Sequence, residues 1–480
     1  MNCLLTALIL SAALMVPPVA AQAGRLVSTR IDRVAEFYHN RDGFSGIVAV
    51  ADNHHTIFLR GYGYANFESK TAFTPDTRFR VGSLSKQFTA AAILLLQQDG
   101  KLKTSDLISR YEPNTPAAWS TITLRNLLTH TSGIPDVDFG DILKNSPHTM
   151  EQLMGQTREK PLEFLPGTRM EYANINYMLL GRVIEQASGQ PYCQFLQERI
   201  FRPLRLTETG CDWSSLPASQ RANGYRPSAD GPVHVGDNDL SSIAGAGNLY
   251  SSASDLIRWT EALFGGKALS PSSIREMTTP FMEGYGYGLQ IGSQYGTVDI
   301  FHNGAVDGFF SFLDYIPSNK TTVVVLTNLV GEGNHTTPGT LALDTEVVRL
   351  ATGDTGILPS EGREANVPEK LLGSYSGRYR AADPQSSQIL IVTLADGHLY
   401  IQNEGAKSDP ERMMAEAPAR FYLANQDVEV TFDLRGAGSL QVFDFSSMSG
   451  GDFERATEST VKLPNYTDGG VDARPPHQQP

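Results

Sequence analysis

Ser83 and Lys86 lie three residues apart in Val81-Gly82-Ser83-Leu84-Ser85-Lys86-Gln87-Phe88. On a helix that spacing puts both side chains on one face, with the amine beside the hydroxyl. A serine hydroxyl is a poor nucleophile until a neighbouring base takes its proton. Lysine becomes such a base when burial or a second cation lowers its pKa. The pair therefore points to acyl transfer through a serine ester. Phe88, Ala91, Ala92, Leu95 and Leu96 continue at helical spacing, and Asp99-Gly100 closes the run. A nucleophile at the N-terminus of a buried helix also gains from the positive end of the helix dipole. A second Ser-x-x-Lys, Ser459-Thr460-Val461-Lys462, has no helical pattern behind it and is set aside.

Two further groups suit this chemistry. Tyr172-Ala173-Asn174 follows Pro166-Gly167-Thr168 and precedes a helical run with Tyr177, Leu179, Leu180 and Ile184. Side chains two apart in an extended segment point the same way, so Tyr172 and Asn174 are expected to face one cleft. A phenolate is favoured beside a lysine ammonium, which would let Tyr172 carry protons between serine and leaving group. Tyr-x-Asn also occurs at Tyr38-His39-Asn40, ending a helix, and at Tyr64-Ala65-Asn66, in an early strand or turn. His302-Asn303-Gly304 ends the strand-like run from Thr297 to Phe301, and a glycine there lets a substrate backbone approach. The amide of Ala305, paired with that of Ser83, is a candidate oxyanion hole. His234-Val235-Gly236 matches the same short pattern, but Pro232 and Asp237-Asn238-Asp239 mark it as loop.

The elements that must hold these residues alternate in type. Arg30 to Tyr38 reads as an amphipathic helix, then Gly46 to Val50 and Thr56 to Leu59 as a hairpin. Leu124 to Leu128 leads into a turn-rich segment, His130 to Pro135, and helices are predicted over Asn176 to Ala187, Pro191 to Ile200 and Ala253 to Phe264. Strands return at Gly286 to Ile291, Val298 to Phe301, Phe309 to Ile316 and Thr321 to Leu326. Strands that open and close a domain around helices predict an α+β fold, an antiparallel sheet flanked by helices plus an all-helical region. Residues 353–367, rich in Gly, Pro and charge, read as a linker. Short strands from Ser374 to Phe445 then predict a small β-sandwich or barrel over 368–463, and 464–480 reads as a disordered tail.

Composition bounds the setting. Leu4 to Val16 is almost wholly apolar, and Ala21-Gln22-Ala23 fits a cleavage site, so residues 1–23 read as an export signal. The expected location is periplasmic or secreted, with no stable membrane anchor once the signal is cut. The catalytic domain would span 24–352. The net charge of −13 argues against nucleic acid as a partner. Cys193 and Cys211 either form a bridge or remain two buried thiols. No cofactor and no metal is expected, because protein side chains complete the chemistry.

Together, the three motifs resemble those of the serine β-lactamase and penicillin-binding D,D-peptidase superfamily. The resemblance is to the branch with class C β-lactamases, D-Ala-D-Ala carboxypeptidases, D-aminopeptidases and esterases. It extends to Leu127-Leu128-Thr129-His130-Thr131-Ser132-Gly133-Ile134-Pro135, Ala244 to Ser252 and Gly284-Tyr285-Gly286-Tyr287-Gly288, and covers roughly residues 28–350. It implies that Ser83 forms an acyl-enzyme which water hydrolyses. Lys86 and Tyr172 would share the proton traffic, and which of them is the acylation base stays open. Asn174, His302, Asn303, Gly304 and Ala305 would bind substrate. Leu371 to Tyr379 resembles the start of the lipocalin-like β-barrel that often follows such domains. Many β-lactamases carry Lys-Thr-Gly or Lys-Ser-Gly where this chain has His302-Asn303-Gly304, and histidine supplies only part of a charge at neutral pH. The expected substrate is thus a D-amino-acid peptide or amide, then an ester, with a β-lactam less favoured. A binding protein without turnover is the third reading, disfavoured by intact Ser83, Lys86 and Tyr172.

Overall fold

A computed structural model describes residues 19–456, apart from 54, 138–148, 212, 295–296, 332–338, 355–356, 362, 384–385, 407, 424–427, 434–437 and 445–448. The chain divides into two compact units between Thr355 and Gly356. The second Ser-x-x-Lys and the tail from Pro464 lie outside the described residues, as does most of the 1–23 segment. The first helix, Val19–Asp42, is longer than the amphipathic pattern suggested and runs through the expected cleavage site.

Besides the two-residue strands β3 (Phe79–Arg80), β4 (Tyr225–Arg226), β5 (Val233–His234) and β6 (Tyr250–Ser251), the first unit is built on β1 (Gly46–Asp52), β2 (His55–Tyr62), β7 (Gln290–Gln294), β8 (Thr297–Val306), β9 (Phe309–Ile316) and β10 (Thr321–Thr327). They form one six-stranded antiparallel sheet in the order β2-β1-β10-β9-β8-β7. Val323, Val324, Val325 and Leu326 of β10 and Ile47, Val48 and Val50 of β1 are all fully buried. Side chains alternate across a sheet, so burial of consecutive residues means both faces are covered. Helix Ser85–Gln98 is buried on nearly every side, from Ser85 through Leu94. A helix apolar all round belongs in a core. Phe88 stacks on Trp259 with ring centroids 4.3 Å apart, and Trp259 Nε1 donates to Gln87 Oε1 at 3.0 Å. The two cysteines are bonded to each other across Cα atoms 6.1 Å apart.

Two boundaries differ from the sequence reading in ways that matter. β8 continues from Thr297 to Val306, so His302 to Ala305 lie within the strand rather than at its end. In the second unit, Glu369–Tyr375 is helical, and Gly377 opens the barrel. Eight strands between Gly377 and Arg455 pair in sequence order and close into a barrel. Tyr375 stacks on Phe432 with centroids 4.3 Å apart, in the same core as Phe421 and Tyr379.

The first unit also holds three buried carboxyl groups, Asp299 of β8, Asp314 of β9 and Asp344 of helix Thr340–Ala351. Asp314 and Asp344 share a hydrogen bond, which two carboxylates cannot make, so a proton must be held between them. Burial pushes all three up, Asp299 to about 7. A raised acid keeps its proton in the folded state where the unfolded chain has lost it. Stability is therefore lost as pH rises from the ordinary aspartate range through about 7. The thermal midpoint should fall between about pH 6 and about pH 9, and fall less for Asp299→Asn. Equal slopes in the two proteins would remove this account.

Candidate active site

Ser83 sits in a 3-10 turn, Gly82–Leu84, that feeds directly into helix Ser85–Gln98. Gly82 adopts φ +51°, and a Cβ there would come within 2.8 Å of Ala305 N. A Cβ on Gly304 would lie 2.1 Å from Val81 O and 2.7 Å from Ser83 N. Both positions therefore need glycine, and together they let β8 lie against the serine turn. The same approach brings the amides of Ser83 and Ala305 into one neighbourhood. Ser311 Oγ donates to Val81 O at 2.9 Å, tying β9 to the turn. Ser85 Oγ donates to Gly82 O at 2.7 Å and accepts from Leu249 N at 3.1 Å.

Lys86 is fully buried, one helical turn from the serine. Its Nζ lies 2.9 Å from Ser83 Oγ, 2.8 Å from Asn174 Oδ1 and 2.9 Å from Ala246 O. Desolvation lowers the amine to about 7, against a smaller upward pull from Asp136. Ala246 O and Asn174 Oδ1 can only accept, so they take two N–H groups. A neutral amine has two such hydrogens and one lone pair, and the lone pair is left facing the serine hydroxyl. This geometry suits a general base.

Tyr172 packs its ring 4.8 Å from Lys86 Nζ and hydrogen-bonds Ser83. The residue keeps 39% of its surface exposed while its phenol end is enclosed. Burial pushes the phenol up, and the hydrogen bond to Ser83 offsets this only in part. The phenolate expected from the sequence is thus not favoured, because desolvation outweighs the hydrogen bond to Ser83. Asn174 is the first residue of helix Asn174–Ser188, not part of an extended run, yet it still reaches the same cluster.

His302 is buried, and its Nδ1 lies 2.5 Å from Asn303 O. A carbonyl only accepts, so Nδ1 carries the proton. Nε2 then accepts from Tyr285 Oη at 3.0 Å. Burial, then the charge of Lys86, lowers the ring to about 4. The partial charge expected of this histidine is therefore absent at neutral pH, and both its nitrogens are occupied. Strand alternation sets His302 and Gly304 on the buried side of β8 and Asn303 and Ala305 on the other. What Asn303 contributes to the cluster is its carbonyl.

Residues 31–346 match the family model described as Beta-lactamase. The chain belongs to that family. Penicillin-binding protein 4* of Bacillus subtilis is 26% identical over 419 residues, covering 82% of this chain and 90% of that protein. The D-amino acid amidase of Ochrobactrum anthropi, solved with L-phenylalanine amide, is 25% identical with a TM-score of 0.61. That alignment covers 69% of this chain and 98% of the amidase. The octameric penicillin-binding protein homologue of Pyrococcus abyssi shares the fold at 23% identity and TM-score 0.60, over 90% of this chain and 99% of its own. The family and these neighbours are serine hydrolases or penicillin-binding proteins in character, and the fold is β-lactamase-like.

Two residues without a role in the sequence reading, His130 of the turn-rich segment and Asp136 just after it, lie against this cluster. His130 accepts Ala173 N at Nδ1, 3.1 Å away, and its carbonyl accepts Glu171 N at 2.9 Å. One residue thus holds the amides on both sides of Tyr172. Its ring also lies against that of Tyr172, with centroids 4.3 Å apart. It does so fully buried, at φ +52°, a conformation that costs energy in any residue but glycine. Burial holds its ring well below the usual histidine range, so Nδ1 stays an acceptor. Asp136 binds Asn174 Nδ2 at 3.1 Å. In the sequence His130 stands inside the family-like segment Leu127 to Pro135, with Asp136 directly after it, and neither is given a role there.

Replacing His130 by Ala should lower kcat by about 10- to 100-fold with little change in KM, as expected for one lost orienting hydrogen bond. His130→Asn tolerates the left-handed backbone and returns an oxygen near Nδ1, so it should recover part of the loss. Steady-state kinetics on the two folded variants checks this, and equal losses would count against the clamp.

Proposed function

We propose that this protein is an exported serine hydrolase that forms an acyl-enzyme on Ser83 and cleaves amides or peptides of D-amino acids. The observation that carries the reading is Lys86 Nζ at 2.9 Å from Ser83 Oγ, with Asn174 Oδ1 and Ala246 O placed to take both N–H groups of the neutral amine. In acylation Oγ bonds to the substrate carbonyl carbon while its proton passes to Lys86 Nζ. The oxyanion rests on the amides of Ser83 and Ala305. Lys86, with the neutral phenol of Tyr172 alongside, returns the proton to the departing amine. Water then attacks the ester, and the acid product leaves Ser83 free.

The substrate class draws on two supports. A structural relative at 25% identity is a D-amino acid amidase. His302 is neutral with both nitrogens engaged, so it offers no charge to a substrate carboxylate. That favours a leaving group without a carboxylate, an amide or amine, over the C-terminal D-amino acid released by a carboxypeptidase. An ester is the second reading, since the same centre accepts an alkoxide leaving group. The Cys193–Cys211 bridge supports an oxidising compartment and hence export.

The test is hydrolysis of D-phenylalanine amide, L-phenylalanine amide, an N-acylated D-Ala-D-Ala dipeptide and benzylpenicillin, with mass spectrometry of the protein. Turnover is expected on the D-amide, and Ser83→Ala should lose ~10³-fold or more. Faster cleavage of the dipeptide would sink the argument from His302. Activity must rise with pH through about 7, because Lys86 acts as the free base. A profile flat across that range would assign the base elsewhere.

A further inference from the structure

We propose that Asp136 is a positioning residue for the reaction centre, acting through the Asn174 amide to fix which side of Lys86 Nζ faces Ser83. This rests on the acyl-enzyme reading above. Asp136 accepts from Val137 N at 2.9 Å and Ile175 N at 3.0 Å through Oδ1, and from Asn174 Nδ2 at 3.1 Å through Oδ2. A carboxylate has no proton to give, so only the NH2 end of the Asn174 amide can face it. The other end, Oδ1, must then face Lys86, where it takes one N–H at 2.8 Å. Ala246 O takes the second at 2.9 Å. The lone pair has nowhere to point but Ser83.

Turn the amide over and the outcome inverts. An NH2 group facing Lys86 draws the lone pair to itself. The amine would then direct an N–H at Ser83 Oγ, which stabilises the hydroxyl without taking its proton. Asp136 thus selects the productive rotamer two bonds away from any reacting atom. The backbone bonds to Val137 and Ile175 hold the carboxylate still while it does so.

Charge adds a separate signature. The titratable side chains facing Lys86 are Tyr172 and Tyr177, His130, His302 and Asp136. Burial keeps both tyrosines protonated and both histidines neutral. Of this set Asp136 is the one that carries charge, and it favours the ammonium form of Lys86. Its removal should therefore release the free base at lower pH.

The experiment is Ser83 acetylation by p-nitrophenyl acetate on the full chain, followed by p-nitrophenol release and by the mass of the Ser83 peptide, from about pH 5 to about pH 8.5. Asp136→Asn should lower the plateau rate by about tenfold or more and move the acid limb down by about one pH unit. Asp136→Ser keeps an oxygen for the Ile175 amide and serves if the Asn variant does not fold. Asp136→Glu keeps the charge and should leave the limb in place. A lower plateau with an unmoved limb means a merely structural role and overturns the proposal, as does an unchanged profile. Absence of acetyl on Ser83 in the wild type would instead overturn the acyl-enzyme reading, and this inference with it.

Discussion

Burying one amine organises the first unit. Lys86 lies fully buried at the start of a helix that is buried on nearly every side, far from the water that would normally solvate an ammonium. Lowering it from its usual range to about 7 corresponds to about 5 kcal/mol at ~1.4 kcal/mol per unit. A buried ammonium is usually paired with a carboxylate, which would restore the charge and end its use as a base. Among the described residues no carboxylate lies within ion-pair distance of it. Its neighbours are instead neutral acceptors, aromatic faces and, one amide further out, Asp136. Such surroundings satisfy the N–H groups while leaving the charge only weakly favoured, which is what a base working near neutral pH needs.

The scaffold around that amine trades stability for placement at several points. Gly82 and Gly304 carry no side chain because β8 and the serine turn must touch backbone to backbone. His130 holds a strained left-handed conformation in the interior. Strain of this kind persists only where surrounding contacts over-determine it, and here those contacts are the Glu171 and Ala173 amides and the ring of Tyr172. The six-stranded sheet, covered on both faces, supplies the rigidity against which such positions can be held.

How much of this was legible in the sequence depended on the kind of signal. Ser83 and Lys86 announce themselves by spacing before an apolar helical stripe, and helix Ala253–Phe264 and strand Phe309–Ile316 by unmixed periodicity. The barrel was legible as a class, but Glu411–Ala417 was not, since Glu-Arg-Met-Met-Ala-Glu-Ala favours a helix by local preference and is a strand by tertiary pairing. The charge states were beyond reach. A histidine in sequence reads as partly charged, and only its surroundings show that His302 donates to a carbonyl, accepts from Tyr285 and is neutral. Tyr172 likewise reads as an activated phenol until its desolvation is known. The role of Asp136 shows only in the fold, because Asn174 and Ile175, which it binds besides Val137, lie 38 and 39 residues away along the chain.

These charge states separate the reaction from its specificity. In the proposed reaction acylation needs a base beside Ser83, and Lys86 would supply it through bonds to Asn174 and Ala246 rather than to β8. On the same proposal substrate recognition would fall to β8 and the loops around the cleft, where a lysine in place of His302 would add a charge and a hydroxyl in place of Asn303 a hydrogen-bond donor, neither of them part of the Lys86–Asn174–Asp136 chain. His302 shows the coupling that remains. The proximity of Lys86 is itself one cause of its low pKa, so a cation at that position would in turn push the lysine down further. A centre that grips a substrate carboxylate with a second cation thus gains a stronger bias toward the free amine, whereas this one must reach the same state by desolvation alone. On the proposed mechanism it is the burial of Lys86, rather than a neighbouring positive charge, that would make the serine reactive.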